Sequence, residues 1–348
     1  MAGGSRVWTH RTQFAAVLLS TVILSTPGAS EAPPAGAAPG RRLAPQDRER
    51  EYVDIRWDTA VAIGGLRDTL LSRPRLLAAS DRRIYAYDYI DHAVIGFEVN
   101  GDVRWRSGRE GAGPGEFRSP TDLEVGPDGR IWVNDPMNHR LTVLSPSGEI
   151  VKTIPVDELT GRDIVPLETR VLFSGLLNAA DVLWATVSSD GQVAAEEGVY
   201  PEPDLAAANP YLRQSMASQQ GDTWALAFPW GNRLFVYRDT SVVCEGTLIE
   251  GRPVSAAKDQ HSTIWVVEID VDGDGVFTLA KGETPDALRL VDEYSSRDCS
   301  YRRTYRLPRS VLAMEVQDGV FYVAREEPYI SITGLKPVKQ RKPSDARP

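Results

Sequence analysis

Two stretches of the sequence repeat each other and decide the fold: DRRIYAYDYIDHAVIGFEVNGDV at residues 81–103 and DGRIWVNDPMNHRLTVLSPSGEI at residues 128–150. Each copy contains short runs of β-branched and aromatic residues, which favour strands, separated by turns that contain Gly or Asp. A repeat of this length with several short strands predicts one small sheet per copy. At an offset of 47 residues the matched pairs are Ile84 with Ile131, Tyr85 with Trp132, Asp88 with Asp135, His92 with His139 and Gly101 with Gly148.

Fainter copies of the repeat continue along the chain at a spacing of about 47 residues. The second copy predicts four strands, at 121–125, 130–134, 140–145 and 149–155. The length from 49 to 335 accommodates six such copies, which predicts an all-β, six-bladed β-propeller of four-stranded antiparallel blades. Each copy carries one large residue that is expected in its second strand, between the blades: Tyr85, Trp132, Leu172, Trp224, Trp265 and Tyr322.

The sixth copy is one strand short. Its predicted strands lie at 311–316, 320–324 and 329–333, after which the sequence becomes a basic tail. An apolar segment near the N-terminus, residues 54–63, can supply the missing fourth strand. Closing the ring in this way would cover a sheet edge that would otherwise be open to aggregation.

One segment brings a family resemblance. Residues 108–150 resemble an NHL repeat, with a G-x-G-P-G-x-F opening, a central Pro, a D-G turn and a D-x-x-N-H-R segment. Residues 62–107 match less closely, and the other four copies match only in spacing and strand pattern. The whole chain resembles exported bacterial six-bladed β-propellers. The resemblance implies the six-bladed fold and a role in binding proteins or ligands, although some relatives by fold are lyases, lactonases or strictosidine-synthase-like enzymes.

The two ends of the chain predict its compartment. Residues 1–32 have the pattern of a Sec-type signal peptide: Arg6 and Arg11, an apolar core at 14–24, and small residues at 27–32. We therefore expect an exported protein, periplasmic or secreted, with no stable membrane span after cleavage; an uncleaved anchor is the alternative. Residues 33–48 form a Pro/Ala/Gly linker, and residues 336–348 a basic disordered tail.

Composition excludes several classes of function. The chain of 348 residues has 48 acidic and 39 basic residues and a net charge of −9, which argues against nucleic acid as a partner. It has two cysteines and no zinc-binding spacing. Export would favour a disulfide between Cys244 and Cys299, whereas the outer strands of neighbouring blades diverge. The sequence leaves this pairing open.

The most plausible binding surface is the face on which the loops between strands two and three meet the loops between blades. We expect it to hold a protein, peptide or glycan, as a non-catalytic binding scaffold. The alternative is a propeller enzyme of lyase or lactonase type with a metal near the central axis. Asp88 and Asp135 occupy matched positions, so they can equally serve the repeat by capping loop N–H groups. The candidate ligand-binding residues are Asp88, His92, Asp135, Asn138, His139, Trp230, Arg233 and Arg325.

One motif resembles part of a calcium loop. Asp270, Asp272 and Asp274, followed by Gly275, spell D-x-D-x-D-G, which places oxygen ligands on alternate residues. The Glu that closes an EF-hand loop is replaced by Lys281. The alternative interpretation is a polar hairpin between the second and third strands of the fifth blade. Calcium at this triplet is the one cofactor that the sequence suggests.

Overall fold

The computed structural model describes residues 49–339 except 54, 68, 81–82, 157–160, 176–181, 189–192, 200–211, 213, 252–262 and 284. These residues form six four-stranded antiparallel sheets arranged as a β-propeller, which confirms the predicted fold class. The predicted signal peptide and linker lie outside the described residues. No helix within the described part of the chain has the length and hydropathy to cross a membrane.

The N-terminal strand and the first three blades follow the predicted repeat. In the second blade each strand boundary lies within one residue of its predicted position. The strands are β1 (Ile55–Ile63); β2 (Pro74–Ser80), β3 (Arg83–Asp88), β4 (Ala93–Glu98) and β5 (Val103–Ser107) in blade one; β6 (Asp122–Val125), β7 (Ile131–Asp135), β8 (Arg140–Leu144) and β9 (Ile150–Pro155) in blade two; and β10 (Asp163–Pro166), β11 (Val171–Ser174), β12 (Val182–Val187) and β13 (Val193–Val199) in blade three.

The last three blades have the same strand order. Among the described residues the only helical segment is the short 3-10 turn Pro136–Asn138 in blade two. The remaining strands are β14 (Met216–Gln220), β15 (Thr223–Ala227), β16 (Arg233–Arg238) and β17 (Ser241–Thr247) in blade four; β18 (Val266–Asp272), β19 (Gly275–Ala280), β20 (Leu290–Ser295) and β21 (Tyr301–Arg306) in blade five; and β22 (Ala313–Gln317), β23 (Val320–Arg325) and β24 (Ser331–Lys339) in blade six.

Blade six is completed by the N-terminal strand, as the sequence predicts. β1 pairs antiparallel with β24, from Ile55 opposite Lys339 to Ile63 opposite Ile332. This pairing carries β24 through Lys339, so the first four residues of the predicted tail belong to the strand, because β1 is long enough to pair with all of it. The pairing satisfies the backbone groups that β24 would otherwise expose at an open edge.

Large side chains of the second strands fill the space between blades. Tyr85, Trp224 and Tyr322 are buried in three different apolar clusters, which supports their interpretation as core residues. Trp265 is the exception. It precedes β18, the first strand of blade five, and its backbone N–H donates to the carbonyl of Pro229. The prediction was wrong there because blade five departs from the repeat spacing.

Cys244 and Cys299 form a disulfide, with their Cα atoms 5.7 Å apart. Cys244 lies in β17, the outer strand of blade four, as expected. Cys299 lies in the turn between β20 and β21, directly before the outer strand of blade five, where the sequence also places it. That turn contacts β17 of the preceding blade, so the divergence of outer strands does not separate the two sulfurs.

Candidate functional site

The first strands of neighbouring blades contact one another around the ring and therefore surround the axis. Four of them carry acidic residues, which occupy alternate positions in β6 and β18, and these residues cross-link the blades. A carboxylate of one first strand accepts a backbone N–H from the first strand of the next blade. The four bonds are Asp122 with Ile164 at 2.7 Å, Asp163 with Ala217 at 2.9 Å, Glu315 with Ala79 at 3.0 Å, and Asp270 with Val316.

The acidic side chains around the axis resist ionisation, because they lie close together and are poorly solvated. Burial raises the pKa of Glu268 to about 8, with the charges of Asp163 and Asp270 adding to the effect and Arg162 opposing it. Burial and neighbouring carboxylates also raise the pKa of Glu124 and of Glu315 well above the ordinary value. These acidic side chains of the central channel therefore hold their protons more tightly than solvated carboxyl groups do.

The channel is narrow at its middle. This throat has a volume of about 60 Å³. At each end it joins a wider cavity, one of about 710 Å³ and one of about 690 Å³. The residues that line the throat include Asp122, Glu124, Asp163, Glu268 and Glu315, together with Arg162.

The cavity of about 710 Å³ is basic at its rim, and we call it the arginine mouth. Arg73 and Arg75 both contact the carboxylate of Glu326, at 3.3 and 3.0 Å. Arg162 contacts Asp163 at 3.4 Å and also lines the throat. The remaining wall combines apolar and polar groups from blades one to four: Leu76, Tyr89, Ser119, Thr121, Pro136, Met137, Gly161, Gly175 and Gln214.

The arginine mouth lies on the face of the propeller that the sequence predicts to be the binding surface. Tyr89 and Met137 belong to loops between strands two and three, and Thr121 belongs to a loop between blades. The hydroxyl of Tyr89 donates to the carbonyl of Pro120 at 2.5 Å, which holds the ring in place. The predicted gathering of these loops is present, but the residues that line the cavity differ from the predicted ones.

Asp88 and Asp135 hold the loops of their own blades. The Asp88 carboxylate accepts the N–H groups of Ser72 and Arg73, at 2.7 and 2.8 Å. Asp135 does the same for Arg118 and Ser119, at 2.9 and 3.1 Å. Both acids are completely buried. Each therefore ties the loop that enters its blade to the turn that follows the second strand, in agreement with the capping interpretation.

The neighbouring polar residues lie on the same face in different environments. His92 Nδ1 lies 3.2 Å from the hydroxyl of Tyr87, and His139 is exposed. Both histidines have left-handed backbones, with φ of 48° and 49°, which shows that they end equivalent turns. Asn138 donates to the Asp135 carboxylate at 2.8 Å. Their contact with a ligand stays a prediction.

The predicted residues on blades four and six are not among the residues that line the arginine mouth. Trp230 is partly buried in the β15–β16 loop. Arg233 contacts Glu245 at 3.2 Å and lies 5.4 Å from the ring centroid of Phe235. Arg325 donates to Thr333 at 2.7 Å, and burial lowers its pKa. A role for these three in ligand binding stays a prediction.

The aspartate triplet belongs to a hairpin between strands one and two of blade five, not between strands two and three. Asp270 is an interblade acceptor, as described above. Asp272 accepts the N–H of Gly319 at 2.7 Å, and Asp274 pairs with Arg302 at 2.9 Å. Within the described residues, no three His, Cys, Asp or Glu side chains are placed to hold one metal ion. Calcium at this triplet stays a prediction that requires these contacts to break.

Sequence reasoning missed the channel acids and the three arginines of the mouth. A signal for the acids is present: Asp122 and Glu124, and likewise Glu268 and Asp270, alternate within first strands where apolar residues are expected. Nothing comparable marks the arginines, because Arg73 and Arg75 stand at the start of blade one and Arg162 at the start of blade three, far apart in the sequence.

No protein family and no curated protein matches the chain. Solved structures do. A protein from Bacteroides fragilis that is thought to be exported matches with a TM-score of 0.60 and 10% identity, over 82% of this chain and 96% of that one. A member of the DUF4221 family from Bacteroides vulgatus matches with a TM-score of 0.56 and 11% identity, over 84% and 100%. These similarities show the fold.

A virginiamycin B lyase from Staphylococcus aureus also matches, with a TM-score of 0.49 and 12% identity, over 81% of this chain and 99% of that one. At that similarity it carries no argument about activity. Propellers with the same architecture host unrelated activities, so the fold alone assigns none to this chain.

Proposed function

We propose that this protein is a binding protein that acts outside the cytoplasm and holds an acidic peptide segment in the arginine mouth. One observation carries the proposal: three arginines, two at the start of blade one and one at the start of blade three, line one open cavity. Arginine is suited to this role because its planar fork binds carboxylates through two parallel hydrogen bonds.

The charges at the rim are incompletely matched. Arg73 and Arg75 share the single carboxylate of Glu326, and the side chains of Arg73 and Glu326 are 49% and 42% exposed. An incoming carboxylate can therefore reach the guanidinium groups without breaking a buried pair. Leu76 and Met137 add apolar surface beside them. A cavity of about 710 Å³ lies within the usual range for ligand pockets.

The compartment is part of the proposal. Residues 1–32 have the signal-peptide pattern, and the disulfide between Cys244 and Cys299 is of the kind that persists in oxidising compartments. Both features support export. Sequencing the N-terminus of the mature protein would test this directly, and an intact Met1 would contradict it.

Peptide binding is tested by fluorescence anisotropy with a decapeptide of Asp, Glu and Gly that carries an uncharged dye. The matched probe replaces every acid by its amide. We expect the acidic probe alone to bind, with an affinity that falls as salt rises. In the double variant Arg73→Gln, Arg75→Gln the affinity should fall at least tenfold.

Arg130→Gln is the control, because Arg130 is half-exposed, pairs with Asp128 and lies outside the arginine mouth. It should bind the acidic probe as the unchanged protein does. Equal binding of the amide probe, or undiminished binding by the double variant, would refute the proposal.

A further inference from the structure

The throat contains acidic oxygens that no protein donor satisfies. Among the described residues, the carboxylates of Glu124 and Glu268 take part in none of the hydrogen bonds or ion pairs found in the channel. Glu315 uses one oxygen, Oε1, to accept the N–H of Ala79 at 3.0 Å. Arg162 is the only cationic side chain among the described residues that line the throat, and it lies at the end toward the arginine mouth. Toward the opposite end, the described residues that line the throat include the carboxyl groups of Glu124 and Glu315 and no cationic side chain.

Gln219 adds an oxygen of a different kind at that opposite end. Its side chain is only 8% exposed. Its Nε2 donates to the carbonyl of Val125 at 2.8 Å. Val125 belongs to blade two and Gln219 to blade four, so the amide group reaches past blade three on the channel side. Its Oε1 is buried and has no donor within the described part of the chain.

Three side chains bring these oxygens to one cavity. Glu124 and Glu315 line both the throat and the cavity of about 690 Å³, and Gln219 lines that cavity with them. The amide oxygen of Gln219 is buried and has no donor among the described residues, which is costly, and a bound cation removes that cost. We propose that the channel binds one Ca²⁺ ion through the carboxylates of Glu124 and Glu315 and the amide oxygen of Gln219.

The position favours an inorganic ion. Glu124 and Glu315 line both the throat and the wider cavity that Gln219 lines, so the ion would lie where the narrow throat of about 60 Å³ opens into that cavity. All of the protein ligands are oxygens, and one is a neutral amide. Ca²⁺ accepts such mixed, irregular sets and completes them with water, whereas Mg²⁺ demands near-octahedral geometry and gives up its water reluctantly.

This site is separate from the aspartate triplet and from the arginine mouth. Asp272 and Asp274 do not line the throat, and Asp270 already accepts N–H groups from Val271 and Val316. None of Arg73, Arg75 and Tyr89 lines the cavity that contains Gln219. Calcium binding and peptide binding can therefore be tested independently.

The test is calorimetric titration of the chelator-treated protein with CaCl₂ and, separately, with MgCl₂, together with melting curves in each salt. We expect one Ca²⁺ per chain and a higher melting temperature in Ca²⁺. Glu124→Gln should weaken Ca²⁺ binding at least tenfold. Glu149→Gln, at an exposed acid on the outer edge of blade two, should bind as the unchanged protein does.

A folding check accompanies the variant. Glu124→Gln removes one of several crowded negative charges, so its metal-free form should melt at or above the temperature of the unchanged metal-free protein. Gln219→Leu, which removes the amide oxygen, should also weaken Ca²⁺ binding. The proposal is overturned by any of three results: no binding at millimolar Ca²⁺, unchanged binding by a folded Glu124→Gln, or equal affinity for Mg²⁺.

Discussion

The carboxylate of Asp163 accepts the backbone N–H of Ala217 at 2.9 Å, and both groups are buried. This bond joins the first strand of blade three to the first strand of blade four. It belongs to a set of four in which an acid of one blade satisfies the main chain of the next. The blades are therefore held at the axis by acceptors that cannot be removed without leaving a buried donor unpaired.

Asp163→Leu tests this relationship. It leaves the N–H of Ala217 buried without an acceptor, at an expected cost of about 1–3 kcal/mol in the free energy of unfolding. Asp163→Asn keeps an oxygen that can accept this N–H, so its free energy of unfolding should fall by less. Chemical denaturation of the three proteins measures the difference. Equal stability of Asp163→Leu and the unchanged protein would show that the bond does not hold the blades together.

The channel acids predict an unusual dependence of stability on pH. The pKa of Glu268 is about 8 in the folded chain and about 4.3 in an unfolded one. Between these values the folded state binds more protons, so the free energy of unfolding must fall as pH rises. Melting temperatures of the metal-free protein should therefore decrease from pH 5 to pH 8.

Glu268→Gln should flatten that decrease, because the amide does not titrate. Glu149→Gln, far from the channel, should leave the slope unchanged. A melting temperature of the unchanged protein that rises steadily over this range would contradict the raised pKa.

Gly246 lies where the disulfide turn contacts blade four. A Cβ at this position would lie 2.6 Å from the Cβ of Cys299 and 2.9 Å from its carbonyl oxygen. Gly246→Ala should destabilise the chain by about 1–3 kcal/mol, because a bonded cysteine cannot move away. Gly65→Ala is the matched control, since a Cβ there meets nothing within 4 Å. Thermal melts without reductant compare the two, and equal melting temperatures would refute the close contact.

Deleting residues 49–65 removes β1 and opens the edge of β24. We expect self-association, because the exposed strand offers unpaired N–H and C=O groups to another chain. Light scattering after size-exclusion chromatography detects it. A deletion of residues 340–348, beyond the last paired residue, is the control and should stay monomeric. If the N-terminal deletion also stays monomeric with an unchanged melting temperature, β1 does not protect the ring.

The sequence by itself determined the blades and their closure. The alternation of apolar residues and the Gly-containing turns are local signals, and they recur in successive copies of the repeat. A boundary such as that of β6 at Val125 therefore comes out correctly from residues a few positions apart. The match of residues 54–63 to a missing fourth strand needed only a count of strands. Blade five was misjudged at Trp265, where the spacing departs from the repeat.

The tertiary structure alone decided which side chains meet. Asp163 and Ala217 are 54 positions apart, and the sulfurs of Cys244 and Cys299 are brought together by a turn rather than by two strands. Arg75 and Arg162 belong to different blades and reach one cavity only because the ring is closed. Such convergence depends on the rotation from blade to blade and on the length of each first strand. Neither is encoded in the local pattern, so the fold could be predicted from the repeat while the site could not.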